Sequence, residues 1–418
     1  MKKYLDIYNE IKNQIESKEL PSGSKIPSVR RASELYSVSI TTIQNAYFEL
    51  SADGYIVARN KSGYYVTSIA ERINKSEEVI HKSKCRYNLT GGVADKDSFD
   101  LKLWQRYIKS ALRQESRMLS YSEAQGEYDL RCAISEYIKE KRNVVTSPER
   151  IVIGAGMSSL LNILCSLLDK GSMISFPDKS FEMGIETFKD YGYDVRTRYK
   201  DADVIYVSPS HMTRWGDVMT IKRRLELAEY SSINNSIVIE DDFENEFLYN
   251  VKPTPSLYAL GNGNVVYISS FSAMLLPAIR ISFMVLTTKL YEAYKSKIKM
   301  FAQTASKTEQ IALCNYIRDG HIKSQTRKIR RLYTAKAKYF AEILSEKMPD
   351  AKIEIGDNNL QLMITAPFCK SNDSFEKSGL LVNIERIENN VITIVCSPAG
   401  IPYDELESVA NLIKSAIE

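Results

Sequence analysis

From about residue 88 onward, six short apolar runs, IVIGA, MISFP, VIYVSP, SIVIED, VVYISS and ISFMVL, alternate with longer stretches of helical spacing. Strands buried on both faces read as unbroken apolar runs, and a helix after nearly every strand is the signature of crossover connections. The pattern predicts an α/β body with a mainly parallel sheet and helices on both faces. From about Thr326 the pattern changes. A long basic helix, RKIRRLYTAKAKYFAEIL, precedes short strands and a terminal helix, ELESVANLIKSAI, which predicts a smaller α+β subdomain. The 418 residues are too many for one small domain and suit two or three.

The first 68 residues follow a different plan. Leu5, Tyr8, Ile11 and Ile15 have helical spacing, and LPSGSKIP breaks that helix. Ser28 is placed to cap a second helix, VRRASELY, and Ser39 a third. On the third helix Ile43, Ala46, Tyr47 and Leu50 form one apolar stripe, which leaves Thr41, Thr42, Gln44 and Asn45 facing outward. YIVARNKSGYYV then reads as a hairpin with a polar tip at Asn60–Gly63. Helix, helix-turn-helix and hairpin together make an α+β winged helix-turn-helix. Residues 69–87 are polar and largely without periodicity, as in a linker.

The bulk numbers exclude several classes. A net charge of +4 is too small to argue for nucleic acid by itself. No apolar run reaches the roughly 18 residues of a membrane span. The start MKKYLDIYNEIKNQI lacks the apolar core of a signal peptide. The six cysteines are scattered, without a C-x-x-C pair, and the three histidines are far apart. Free thiols, no metal site and a cytoplasmic location are expected.

LPSGSKIPSVRRASELYSVSITTIQNAYFELSADGYIVARNKSGYYV resembles the GntR-type winged helix, with P-S-x-R opening the second helix and V-S-x-x-T the third. The resemblance implies double-stranded operator DNA as the partner. Ser28, Arg30 and Arg31 stand at a helix N-terminus suited to phosphate or a guanine edge. Ser39, Thr41, Thr42, Gln44 and Asn45 suit a major groove, and Lys61 at the wing tip a minor groove.

The remainder resembles the effector body of MocR-type regulators, a GntR branch that carries an aminotransferase of fold type I. YSEAQGEYDLRCAISEYIKEKRNV, IVIGAGMSSLL, IEDDFENEF and SSFSAMLLPAIRISFM carry the resemblance. It implies a homodimer, and a phosphate cup built from Gly156, Met157, Ser158, Ser270, Ser272 and Arg280. Asp241 is implied as partner of the cofactor's ring nitrogen, and Phe181 as the aromatic covering the ring. The departures are specific. Ala273 replaces the lysine that anchors pyridoxal phosphate as a Schiff base, and a methyl group has no amine to offer. Phe243 replaces a tyrosine. SHMTRWGD keeps His211 and Gly216 of S-H-Q-x-P-T-G but brings Arg214 and Trp215. Thr393 stands where a substrate-carboxylate arginine is expected. The chain is therefore expected to regulate transcription without catalysis. Its body would dimerise and sense an unknown small molecule. Pyridoxal phosphate or another phosphorylated ligand would bind there only noncovalently. The opposing expectation, an active aminotransferase, requires the amine that residue 273 lacks.

Overall fold

A computed structural model describes residues 3–60, 62–67, 85–213, 217–243, 245–247, 254–261, 263–357, 360–371 and 373–418. The chain falls into two compact units, Met1–Ser83 and Lys84–Glu418.

The first unit contains helices α1 (Lys3–Glu16), α2 (Val29–Leu35) and α3 (Ile40–Ala52), then strands β1 (Ile56–Arg59) and β2 (Gly63–Val66). Both serine caps form. Ser28 Oγ accepts from Arg31 N–H at 3.4 Å, and Ser39 Oγ from Thr42 N–H at 3.2 Å, closing donors that a helix start otherwise leaves open. Ile43, Ala46, Tyr47 and Leu50 are all buried, and the Tyr47 hydroxyl donates to Pro27 O at 2.8 Å. The first helix differs from the expected stripe. Ile7, Ile11 and Ile15 are its buried residues, whereas Leu5 is exposed. An i, i+4, i+8 series of isoleucines buries more branched apolar surface than one begun at Leu5, and that choice sets the helix rotation. β1 and β2 pair antiparallel from Ile56↔Val66 to Arg59↔Gly63. Lys61 lies outside the described residues.

In the second unit, β3 (Tyr87–Asn88) comes first. The large sheet follows, with β4 (Ile151–Gly154), β5 (Met173–Phe176), β6 (Asp194–Thr197), β7 (Val204–Val207), β8 (Ile237–Asp241), β9 (Val265–Ser270) and β10 (Ser282–Val285). Their order is β4-β10-β9-β8-β7-β5-β6, and only β10 runs antiparallel to its neighbours. Six strands coincide with the six apolar runs. The seventh, β6, reads DVRT and is an edge strand exposed along most of its length, so it carries no apolar run to betray it. The ends of β4, β7, β8 and β9 and the start of β10 converge on one edge, where ligands of parallel sheets bind.

The smaller subdomain begins earlier than the basic run suggests. Its long helix spans His321–Lys347, starting just after Gly320 in a left-handed turn with φ 78°. The antiparallel sheet is ordered β11 (Lys352–Ile355), β12 (Leu362–Pro367), β15 (Val391–Cys396), β14 (Asn383–Glu388). β13 (Leu380–Leu381) runs parallel to β3. The amides of Arg86 and Tyr87 donate to Gly379 O at 2.8 and 3.0 Å. The expected linker therefore overreaches: 69–84 lie outside the described residues, but 86 and 87 are paired within the second unit.

One buried ion pair ties three segments together. Lys336, in the middle of the long helix, is fully buried against the Asp95 carboxylate and donates to Ala399 O at 3.1 Å and Ile401 O at 2.6 Å. A buried ammonium that loses its partner retains the cost of desolvation. Asp95→Ala should destabilise the second unit by about 3–5 kcal/mol in urea unfolding. Adding Lys336→Met should recover much of that loss, because the uncompensated charge is gone. A double variant no more stable than the single would show that the pair is not what holds these segments.

Candidate functional site

The two units carry separate candidate sites. On α3, Thr41, Gln44 and Asn45 are exposed on the side opposite the buried stripe, and Arg30 and Arg31 are exposed on α2. Thr42 is only half-buried and its hydroxyl lies 2.8 Å from Ser39 Oγ. These two side chains thus engage each other at the helix cap. In the wing, the Arg59 guanidinium lies 4.4 Å from the centre of the Tyr65 ring, and Ser62 Oγ is 2.7 Å from the Tyr65 hydroxyl.

In the second unit the phosphate-cup residues come from three neighbouring elements. Gly156 caps the helix Met157–Leu167 with φ 86°, a conformation that side chains disfavour. A Cβ there would lie 2.4 Å from Arg280 Nη2, so the guanidinium occupies the room that only glycine leaves. Arg280 itself adopts φ 50°. Met157 is half-buried and Ser158 exposed on the first turn of the helix. Ser270 Oγ accepts from Ser272 N–H at 3.2 Å and from Ser282 Oγ at 2.9 Å. Ser272 Oγ is buried and finds no partner among the described residues. Thr304, from a distant loop, braces the turn before this helix by accepting from Ala155 N–H at 2.9 Å; nothing in its sequence surroundings distinguishes it.

Three consecutive carboxylates close β8, and the fold gives them different tasks. Glu240 accepts from the Leu257 and Tyr258 amides, both at 2.8 Å. Asp242 accepts from Arg142 Nε at 2.6 Å, Ser210 Oγ at 2.6 Å and the Tyr267 hydroxyl at 2.8 Å. Asp241 accepts at Oδ2 from the Tyr206 hydroxyl at 2.5 Å, while Oδ1, also buried, has no partner among the described residues. Burial pushes the Asp241 carboxyl up to about 7.

Ala273 borders a small cavity of about 50 Å³ together with Phe247, Pro277 and Tyr333. A larger cleft, about 580 Å³, is lined by Phe181, His211 and Phe243, and shares Gln361 and Ser397 with the small one. Phe181 stacks on Tyr206 with ring centres 5.2 Å apart, and Tyr206 on Phe176 at 4.8 Å. His211 and Phe243 pack at 4.9 Å. Thr393 does not line the cleft. Its hydroxyl lies 3.3 Å from that of Thr365 on β12, and Val395, Cys396 and Ser397 line the cleft instead. Neither lysine nor arginine is among the described lining residues. Arg214, Trp215 and Gly216 lie outside the described residues.

Pyridoxal phosphate, which this fold implies, fits part of the arrangement. Asp241 Oδ1 is a buried acceptor without a donor, and Ser272 Oγ with the Gly156–Arg280 turn offers donors to a phosphate. The covalent end does not fit, since Ala273 has no amine and Phe243 no hydroxyl.

The raised carboxyls have a consequence for stability. Glu240, Asp241 and Glu246 are each pushed by burial to about 7, whereas unfolded Asp and Glu release their protons near pH ~4. Between about pH 4 and 7 these three groups therefore hold more protons in the folded chain than in the unfolded one, and their contribution to stability falls as pH rises. Asp241→Asn should make that fall shallower in unfolding curves collected across the window. A slope identical to that of the unaltered protein would contradict a proton held at Asp241.

Residues 3–66 match the family of bacterial regulatory proteins, gntR family, and residues 88–385 match aminotransferase class I and II. The uncharacterized HTH-type transcriptional regulator YhdI of Bacillus subtilis (strain 168) is 31% identical over 380 residues, 85% of this chain and 81% of that protein. The probable rhizopine catabolism regulatory protein MocR of Rhizobium meliloti is 24% identical over 404 residues, 87% of this chain and 81% of that protein. Among solved structures, an archaeal alanine:glyoxylate aminotransferase superposes with a TM-score of 0.71 at 20% identity, over 83% of this chain and 95% of that one. That likeness speaks to the fold alone. The chain belongs to the MocR-type HTH transcriptional regulators, in which a GntR winged helix is joined to an aminotransferase-like body.

Proposed function

We propose that this transcriptional regulator works as a homodimer whose second unit holds a small phosphorylated molecule noncovalently and catalyses nothing. The carrying observation is Ala273 beside a cavity of about 50 Å³, at the position where the resemblance expects the anchoring lysine. A nucleophile must be held within reach of the reacting carbonyl, so amines elsewhere on the surface are no replacement. The relatives' names support the same reading, since they describe regulators.

A second reading narrows the ligand to pyridoxal phosphate itself, and the partnerless Asp241 Oδ1 favours it. The ring nitrogen would meet Asp241, and the phosphate would meet Ser272, Arg280 and the Gly156 turn. Bound in enzymes, this cofactor supplies an electron sink. Here Asp241 would only hold a proton at the ring nitrogen, and the cup would only orient the ligand.

The first test is spectroscopic. Pyridoxal phosphate added to purified protein should bind reversibly, and borohydride should not fix it. No amino-acid donor should give turnover; cofactor-dependent transamination would refute the noncatalytic reading. Ala273→Lys with Phe243→Tyr asks whether the pocket is otherwise intact. We expect no new covalent absorbance with the fold retained by circular dichroism, because Arg214 and Trp215 replace small turn-forming residues of the motif. Restored absorbance would mean a pocket preserved around a single loss.

The second test concerns DNA. A two-fold dimer presents two recognition helices, so the bound site should contain two half-sites. Arg30→Ala should weaken specific binding by about 1–3 kcal/mol without altering thermal stability, as expected for a base contact. Equal loss on specific and random duplexes would assign Arg30 to phosphate instead.

A further inference from the structure

The recognition helix carries an apolar side chain among its outward polar groups. Phe48 is 72% exposed, in a helix whose core-facing apolar residues, Ile43, Tyr47 and Leu50, are 0–1% exposed. Thr41, Gln44 or Asn45, and Phe48 follow at i, i+3 or i+4, and i+7, and so share one face. That face is opposite the buried stripe. Ile40, which is 48% exposed, stands at the start of the same helix. Single exposed apolar residues are ordinary on protein surfaces. The position of this one is not ordinary, because a helix-turn-helix lays its second helix in the major groove, and Phe48 shares a face with Thr41 near that helix's start.

We propose that Phe48 reads thymine methyl groups, and that each operator half-site carries thymine at one or two positions beneath the second half of α3. The inference rests on the operator-binding reading and adds a base preference to it. On the major-groove edge, the C5-methyl of thymine is the apolar group among donors and acceptors. Thr41, Gln44 and Asn45 find hydrogen-bonding complements there, and a phenyl ring finds the methyl. Phe48 lies eight residues after Ile40, about 12 Å along the helix axis, on the face that carries Thr41, Gln44 and Asn45. Phe48 makes no contribution to the first unit's core, so changing it leaves the scaffold that presents Thr41, Gln44 and Asn45 intact.

The experiment uses the full-length protein. Bound duplexes are selected from a random pool, and each thymine of the enriched half-site is then replaced by deoxyuridine. That replacement removes the methyl and keeps the base pair. Affinities are measured by fluorescence anisotropy at fixed salt for the unaltered protein and for Phe48→Ala. Removing one buried methyl should weaken binding about fourfold at one or two positions. Phe48→Ala should bind the thymine duplex correspondingly more weakly and be indifferent to deoxyuridine at those positions. Insensitivity of the unaltered protein to every replacement overturns the proposal. So does a Phe48→Ala variant that still discriminates at the same positions, which would place the methyl contact elsewhere. A Phe48→Ala variant with altered oligomeric state and unchanged DNA affinity overturns it too, by assigning the ring to a protein contact. Failure to enrich any sequence would instead remove the operator-binding reading, and this proposal with it.

Discussion

The second unit is organised around the Arg142–Asp242 pair beneath the end of β8. Arg142 ends the helix Tyr128–Arg142, and its guanidinium grips Asp242 while also donating to Thr254 O at 3.0 Å. Ser210, just after β7, and Tyr267, on β9, complete the shell around the same carboxylate. One side chain thus joins three adjacent strands and a covering helix. Its charge is compensated, which a buried carboxylate requires. Asp241, between Asp242 and Glu240, is turned to the other face of the strand, where the Tyr206 hydroxyl donates to its Oδ2. Its Oδ1 is buried and has no hydrogen-bond partner among the described residues.

This arrangement separates two properties that an aminotransferase combines. Gripping a phosphorylated ring needs a glycine turn, a cation, hydroxyls and an acceptor, and Gly156, Arg280, Ser272 and Asp241 have that chemistry. Making a covalent bond needs an amine in one place, and residue 273 is alanine. The two requirements reside in different side chains, so one can be lost while the other is retained. The backbone is specialised regardless: Gly156 and Arg280 both adopt positive φ, and the Cβ that Gly156 lacks leaves room for the Arg280 guanidinium.

Much of the fold was legible because burial writes itself into composition. Six strands buried on both faces appear as apolar runs, and the exposed β6 does not. Serine caps before α2 and α3 are local chemistry and could be read directly. The stripe of α1 is legible at Ile11 and Ile15 but not in its first turn, where Leu5 and Ile7 are both apolar and only Ile7 is buried. Choosing between them depends on Tyr47, Leu50 and the other residues across the core. The start of the long helix at His321 was hidden for a similar reason: its first turn has ordinary polar composition, and Gly320 stops the preceding segment.

The amino-acid sequence by itself determined the two-part plan, the caps, the strand runs and the loss of an amine at residue 273. Each of these depends on residue type or on spacing along the chain. Tertiary structure alone decided which of three adjacent carboxylates keeps an unmet acceptor. It also decided that Thr42 meets its own cap, that Thr393 faces Thr365 rather than the cleft, and that Phe48 stays in water. Those outcomes depend on which distant groups arrive beside a residue, and chemically identical neighbours in sequence are separated only by that arrival.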